Sequence, residues 1–301
     1  MIIMDQDLIN YPFHIVNHNS EHMKQIFSHS RINCFKQCAK LYEYKYIEKL
    51  VPLGADTKAL SMGKAFHTGI EHGSSDAALE FMEKDEYFMS QESENDKIIC
   101  LAMVDAFLKK FPEAKTWEHE KHLVGSMIDK DDFQLYIDGL EKDDDGYWIV
   151  ELKTASKIDD TYVDKLDFND QISRYYYMAK KEGLKIHGIK YYVVKKPLLR
   201  QKKNESVEQY RKRLVERIME EDSIFYTEIH RTPEQISECI EDTKYDIEVI
   251  KNTTRFTKNL CACSMYGTRC PYMDLCRGIK GAELLFDRKE DEDVTGEQES
   301  E

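Results

Sequence analysis

The chain has 301 residues, of which 41% are apolar and 33% charged, with a formal net charge of −14. That composition supports a folded core of one large or two modest domains, contains no apolar run of the ~18 residues needed to span a bilayer, and argues against indiscriminate binding of polyanions. No basic stretch leads into an apolar core within the first thirty residues, so no secretory signal is expected; in a reducing cytoplasm, eight cysteines hold metal more readily than they form disulfides.

Ser28 or Ser30 caps a first helix predicted to run to about Tyr46, with Ile32, Phe35, Tyr42 and Tyr46 recurring at helical intervals. Further helices are predicted over 62–83 and over 97–111, the latter stopped by Pro112. The period then changes to alternation: 133–138 and 147–153 read as strands joined by the acidic turn Asp143-Asp144-Asp145-Gly146, a hairpin. A helix over 168–182, a strand over 186–194 and a charged helix over 205–221 follow. Strands bracketed by helices make a mixed α/β fold.

The hairpin admits two registers. A two-residue loop at Asp144-Asp145 sets Asp138 opposite Glu151, whereas a loop at Asp145-Gly146 sets it opposite Lys153. Either one gathers Asp138, Glu151 and Lys153 on one face, because strand side chains alternate with period two and opposed side chains lie ~5 Å apart. Two carboxylates suit magnesium or manganese, and such an ion can polarise a phosphoryl group while Lys153 orients the attacking water and stabilises charge on phosphorus. Ordinary charges on a solvent-facing sheet edge are the bland alternative. Against it stands the placement of Glu-x-Lys at the end of an apolar strand, behind a turn with a matching Asp.

Gln171 and Tyr175, four apart on the 168–182 helix, share a face with Arg174 that offers amide, phenol and guanidinium groups to DNA phosphates or bases. Basic residues cluster from Lys195 to Arg217; Arg211 and Arg213 are the candidates there for a strand-binding groove, the alternative being a solvated helix with interleaved glutamates. Cys38, Cys263, Cys270 and Cys276 read as one four-thiolate site, suited to zinc or to an iron–sulfur cluster. One remote cysteine plus a trio fits the paired spacing of zinc sites poorly. Cys34, Cys100 and Cys239 are read as buried thiols, with Cys34 a competitor of Cys38 and Cys261 of Cys263. Residues 287–301 hold eight acids against Arg288 and Lys289, a local net of −6, and are expected to form a solvated, disordered tail.

Ile137-Asp138-Gly139 followed by Glu151-Leu152-Lys153-Thr154 resembles the signature of the PD-(D/E)XK nucleases in their RecB-like branch. The resemblance extends to Ser28-His29-Ser30-Arg31-Ile32 with Cys38, to Gly63-Lys64-Ala65-Phe66-His67, to Gln171-Ile172-Ser173-Arg174-Tyr175 and to the terminal cysteine trio. Ile137 stands in place of the proline of the name, and Ala39 where proline often follows the first cysteine. The resemblance implies a restriction-endonuclease-like mixed β-sheet flanked by helices, with an N-terminal helical portion and a C-terminal Cys-rich segment closing an iron–sulfur site. It implies that Asp138, Glu151, His67 and the carbonyl of Leu152 ligate Mg2+ or Mn2+, that Lys153 is the catalytic lysine with Gln171 and Tyr175 beside it, and that the four cysteines hold a [4Fe–4S] cluster, structural Zn2+ being the alternative. On this reading residues 1–286 form one nuclease domain: a helical part at 28–115, a catalytic core at 116–200 and a basic helix with the Cys-rich closure at 201–286. Its substrate is expected to be DNA, single-stranded or with free ends, in cytoplasmic recombination, repair or phage DNA processing beside a recombinase, helicase or single-strand-binding protein. The competing class is a noncatalytic DNA- or protein-binding module that keeps the fold and a structural metal site made of the four thiolates.

Overall fold

A computed structural model describes residues 25–289 except 55–56, 91–92, 131, 221–222 and 268, together with the side chains of 266 and 267. The chain opens with α1 (His29–Gln37), capped by Ser28, whose hydroxyl accepts from the Arg31 amide at 3.2 Å. The single helix expected as far as Tyr46 is broken: Cys38 is extended, and α2 (Ala39–Tyr42) and a π-helical turn (Glu43–Ile47) follow it. The break follows from tertiary contacts, since the Asn259 amide donates to Cys38 Sγ at 3.4 Å and Lys40 N–H to the Thr257 carbonyl at 3.0 Å. Strand β1 (Leu50–Pro52) follows.

The helix expected over 62–83 is likewise two, α3 (Lys58–Glu71) and α4 (Ser75–Met82), turning at Gly73, whose φ of +62° suits glycine. Helix α5 (Glu94–Lys110) buries Ile99, Cys100, Leu101, Met103, Val104 and Phe107. So broad an apolar surface fits a helix with neighbours on several sides, and α5 packs against α3 and α4. At its crossing with α3 a Cβ on Gly69 would come within 2.6 Å of Val104, so the helices approach too closely for any side chain there.

Strands β2 (Glu118–Gly125), β3 (Phe133–Lys142), β4 (Tyr147–Ala155), β5 (Ile186–Lys195) and β6 (Ile224–Ile229) form one five-stranded sheet in that order, parallel only between β4 and β5. The parallel pair reads as continuous apolar runs, as expected where both faces are covered. Between the strands of the sheet run α6 (Asp160–Asp164), α7 (Asp170–Lys181) and α8 (Val207–Ile218). After the sheet come the long α9 (Pro233–Asn252), the short α10 (Met273–Cys276) and strand β7 (Phe286–Arg288). Helices α3, α4, α5 and α8 share a core with Val150, Leu152, Tyr192 and Val194. Residues of α1, α7 and α9 share a second core with Ile149, Ile189, Tyr191 and Val193 on the other face. This is the mixed α/β architecture, a sheet flanked by helices, that the sequence led us to expect. No helix among the described residues is long and apolar enough to cross a membrane.

Among the elements not anticipated are β2, β6 and α9. Strand β2 is charged and lies at an edge, so it lacks apolar alternation; β6 is the opposite edge. Helix α9 is masked by its charges, although Thr232-Pro233-Glu234-Gln235 is a capping box with proline at the first turn. The expected tail also starts too early: Asp287 and Arg288 pair antiparallel with Val51 and Leu50, and residues 290–301 lie outside the described residues.

Candidate active site

The first of the two possible hairpin registers is the one formed: Lys142 faces Tyr147, Leu140 faces Ile149 and Gly139 faces Val150. The next step would oppose Asp138 to Glu151. The ladder ends there, and Asp138 Oδ2 accepts the Leu152 amide at 2.7 Å in place of a backbone carbonyl. The two strands separate at Asp138, and α3 delivers His67 to it, with Nδ1 3.2 Å from Asp138 Oδ1. On β4, Lys153 Nζ lies 2.8 Å from Glu151 Oε1, the period-two contact expected of neighbours on one face.

Electrostatics separate the two acids. Burial pushes the Glu151 carboxyl up to about 7, Lys153 pulling it down and Asp138 pushing it further up. Burial also acts to raise Asp138, but the charge and hydrogen bond of His67, the charge of Lys153 and the Leu152 amide outweigh it and hold the carboxyl below the usual range. Burial acts to lower His67, and the Asp138 carboxylate more than offsets it, so the imidazole lies above its ordinary value. Glu151 is 1% exposed, and its Oε2 is buried with no hydrogen-bond partner. A buried carboxylate oxygen without a donor is costly, and an oxygen so placed beside a second acid fits the donor chemistry of a hard divalent cation.

These groups lie in a cleft of ≈ 640 Å³. Helix α7, capped by Asn169, brings Gln171 and Tyr175 into its wall, with Gln171 Nε2 donating to the Tyr175 hydroxyl at 2.8 Å and that hydroxyl in turn bonded to Glu151. Lys45, Lys49, Lys64, Lys153, Lys196 and Lys289 also line the cleft, so a chain of net negative charge presents a basic channel here. Sequence reasoning missed this channel, because its lysines come from five separate segments. Tyr136, two residues before Asp138, lines it too; strand alternation alone would have found that one.

The arginines proposed to meet DNA have partners within the protein. Arg174 lies in the cleft lining with Gln171 and Tyr175, but its guanidinium is engaged by other side chains. It is 1% exposed, its Nε donates to Thr243 Oγ1 of α9 at 2.9 Å, and its remaining nitrogens reach His29 and Asp170. It ties α7 to α9 and α1. Arg174→Met is expected to lower the unfolding free energy by about 3 kcal/mol, because several hydrogen bonds to a buried charge are lost together; urea denaturation measures it, and a loss below about 1 kcal/mol would contradict this role. Arg211 and Arg213 do not line the cleft. Arg211 is paired with Asp105 of α5 at 2.6 Å and Arg213 with Glu205 at 2.7 Å, so α8 is held to the helical layer and its charges are locally neutralised.

The cysteine segment folds back onto α1 and α2. Asn259 Nδ2 donates to the Gln37 carbonyl at 2.8 Å, and the Cys270 amide to the Cys263 carbonyl at 2.9 Å. Burial raises the Cys270 thiol, helped by Cys263 and Cys38; burial likewise raises Cys276, which also feels Cys270 and Cys38. Cys270 thus has Cys38, Cys263 and Cys276 in its surroundings. Cys34, Cys100 and Cys239 are buried and Cys261 is exposed. Tyr272, from the same segment, donates to the Leu50 carbonyl at 2.7 Å and lines the cleft, so the closure forms part of the channel wall.

A further cluster, unanticipated as such, joins Asp143, Asp145 and His187 within 4.8 Å at the hairpin turn, the opposite end of β4 from Lys153. Its acids are satisfied locally: the Asp145 and Gly146 amides and His187 bond to Asp143, and Lys185 to Asp145.

The sheet order, the separated strands at Asp138 and the acid pair with its lysine fit the fold and site of a nuclease. The family profile of the PD-(D/E)XK nuclease superfamily matches residues 26–277, and the chain belongs to that superfamily, whose members use divalent metals. Among solved structures it resembles a protein from Eubacterium rectale described as a putative exonuclease, at a TM-score of 0.54 and 13% identity over 85% of this chain and 94% of that one, a likeness of fold. A second, SSO0001, aligns at a TM-score of 0.36 and 10% identity over 71% of this chain and 84% of that one, too distant to compare folds. A search of the curated proteins gives no match.

Proposed function

We propose that the chain is a Mg2+- or Mn2+-dependent deoxyribonuclease, exonucleolytic or preferring single strands, that serves recombination, repair or phage DNA processing. The observation that carries the reading is the meeting of Asp138, Glu151, Lys153 and His67 on the floor of a basic cleft, with Glu151 Oε2 buried and unpaired.

Asp138, Glu151, His67 and the Leu152 carbonyl hold the ion; bound there, it supplies Lewis-acid polarisation of a phosphodiester. Because His67 and Glu151 both favour their protonated forms in the free protein, loading the site releases protons. Lys153 lies beside Glu151 and stabilises charge that builds on the phosphoryl oxygens. Gln171 fixes the Tyr175 hydroxyl, which steadies the Glu151 carboxylate. The channel lysines carry the flanking phosphates, a contribution that weakens with salt.

The cysteines Cys38, Cys263, Cys270 and Cys276 hold a [4Fe–4S] cluster that fastens the C-terminal segment to α1. Their spacing supports this. One remote cysteine plus a trio departs from the two close pairs usual in zinc sites.

The test is digestion of end-labelled linear DNA with Mg2+ or Mn2+ by the wild type, Asp138→Ala and Lys153→Ala. Loss of at least about 100-fold in each variant is expected. Equal digestion by all three would point to a contaminant, remove the catalytic claim and leave a noncatalytic DNA- or protein-binding module.

A further inference from the structure

From Phe133 to Asp138, β3 alternates buried and half-buried residues, which puts Gln134, Tyr136 and Asp138 on one face, all three lining the cleft. Across β2, exposed His122 is the register partner of Tyr136. Their rings stack with centroids 4.3 Å apart and planes 6° apart. Gln134 Oε1, 3.1 Å from His122 Nε2, fixes the imidazole in that plane. The result is a rigid π-surface two residues from Asp138, or ~7 Å along the strand, a distance that an extended polynucleotide covers in one nucleotide step.

Lys45, Lys64 and other lysines line the same cleft and suit the phosphates of a strand whose base meets the rings. Glu120, which also lines it, falls opposite Asp138 between the pairs His119–Gly139 and Lys121–Ile137. Glu120 also holds a left-handed backbone, φ +50°, which a non-glycine residue adopts at a cost.

We propose that Tyr136, backed by His122, is a stacking platform for the unpaired base beside the scissile phosphate, and that it makes single-stranded nucleic acid the preferred substrate of this cleft. The proposal rests on the nuclease reading above. A paired base has both faces occupied by its neighbours in the duplex, whereas an unpaired one offers its π-face to an aromatic ring whatever its sequence.

Binding is measured without turnover, by fluorescence anisotropy in EDTA. The probes are a labelled oligothymidylate, the same oligonucleotide with abasic residues, and a duplex; the proteins are the wild type, Tyr136→Leu, Tyr136→Phe and His122→Ala. Tyr136→Leu should bind oligothymidylate about 5- to 150-fold more weakly, with the abasic strand and the duplex unaffected. Tyr136→Phe should retain most of the affinity, and His122→Ala, at an exposed position, gives a second measurement should Tyr136→Leu fail to fold. Equal losses on abasic and intact strands, equal losses in Leu and Phe, or no loss at all would overturn the platform. If the wild type cuts DNA and the Tyr136 variants bind and cut as it does, the platform alone falls; if the wild type neither binds nor cuts, the nuclease reading falls with it.

Discussion

Glu151→Gln is expected to reduce metal-dependent hydrolysis roughly a thousandfold, the loss of several kcal/mol of charge stabilisation, and at the same time to make the metal-free protein more heat-stable above neutral pH. Both effects have one cause. The Glu151 carboxyl titrates at about 7 in the folded chain instead of 4.5, first because it is buried and then because Asp138 adds to the effect of burial. A carboxyl with a raised folded value binds its proton more tightly when folded. The stabilisation from that proton is fully present below 4.5 and is lost as pH rises through about 7. At pH 8 the metal-free protein therefore carries a buried carboxylate, at a cost of about 3 kcal/mol from the displacement. Glutamine removes the charge but also deprives Lys153 of its partner, so the net gain is on the order of 2 kcal/mol, a few degrees in melting temperature. Thermal unfolding in EDTA should show the variant above the wild type at pH 8 and level with it at pH 5. Added Mn2+ should raise the wild-type midpoint at pH 8 and leave the variant's in place. A variant that melts lower than wild type at pH 8, or still responds to Mn2+, would mean that Glu151 is not the ligand.

Cys270→Ser is expected to cost folding before it costs chemistry. Cys38 and the trio at 263–276 are separated by more than two hundred residues, and fastening so long a loop stabilises a fold by about 5 kcal/mol in the loop-closure model. Hydrogen bonds from the Asn259 amide and side chain to the α1 end help hold the junction, but they are few and exposed. Loss of one ligand should lower the soluble yield and the melting temperature, and iron and sulfide should disappear from anaerobically prepared protein. The turnover rate per folded molecule should stay within a few-fold of wild type, since no cysteine of the four lines the cleft. An equally stable Cys270→Ser that merely loses rate would contradict this order of effects, and a colourless wild type carrying stoichiometric zinc would replace the cluster with zinc.

The hairpin was legible because its determinants are local. Asp143 to Gly146 fixed the turn, and period two then placed Glu151 beside Lys153 and brought Asp138 to the same point. Helix α7 was legible for the same reason, in its span and in the Gln171–Tyr175 contact. The direction in which α7 turns its other groups was not. Gln171, Arg174 and Tyr175 share a helical face by spacing and all line the cleft, yet the Arg174 guanidinium is engaged by Thr243 of α9, 69 residues later. The partner of Arg211 is equally remote, Asp105 lying 106 residues earlier. The break at Cys38 has the same origin, since the Asn259 amide that meets the thiol belongs to the other end of the chain.

The sequence by itself determined which donors this protein owns and how they are spaced, because turn chemistry and strand alternation act over a few residues. It thereby determined the acid pair, its lysine and the four thiols. Only the tertiary structure decided which cations face the cleft and which are spent on other helices, and that Tyr136 and His122 stack beside Asp138. Burial and ion pairing depend on segments tens to hundreds of residues away, and no local pattern encodes which of those segments will arrive.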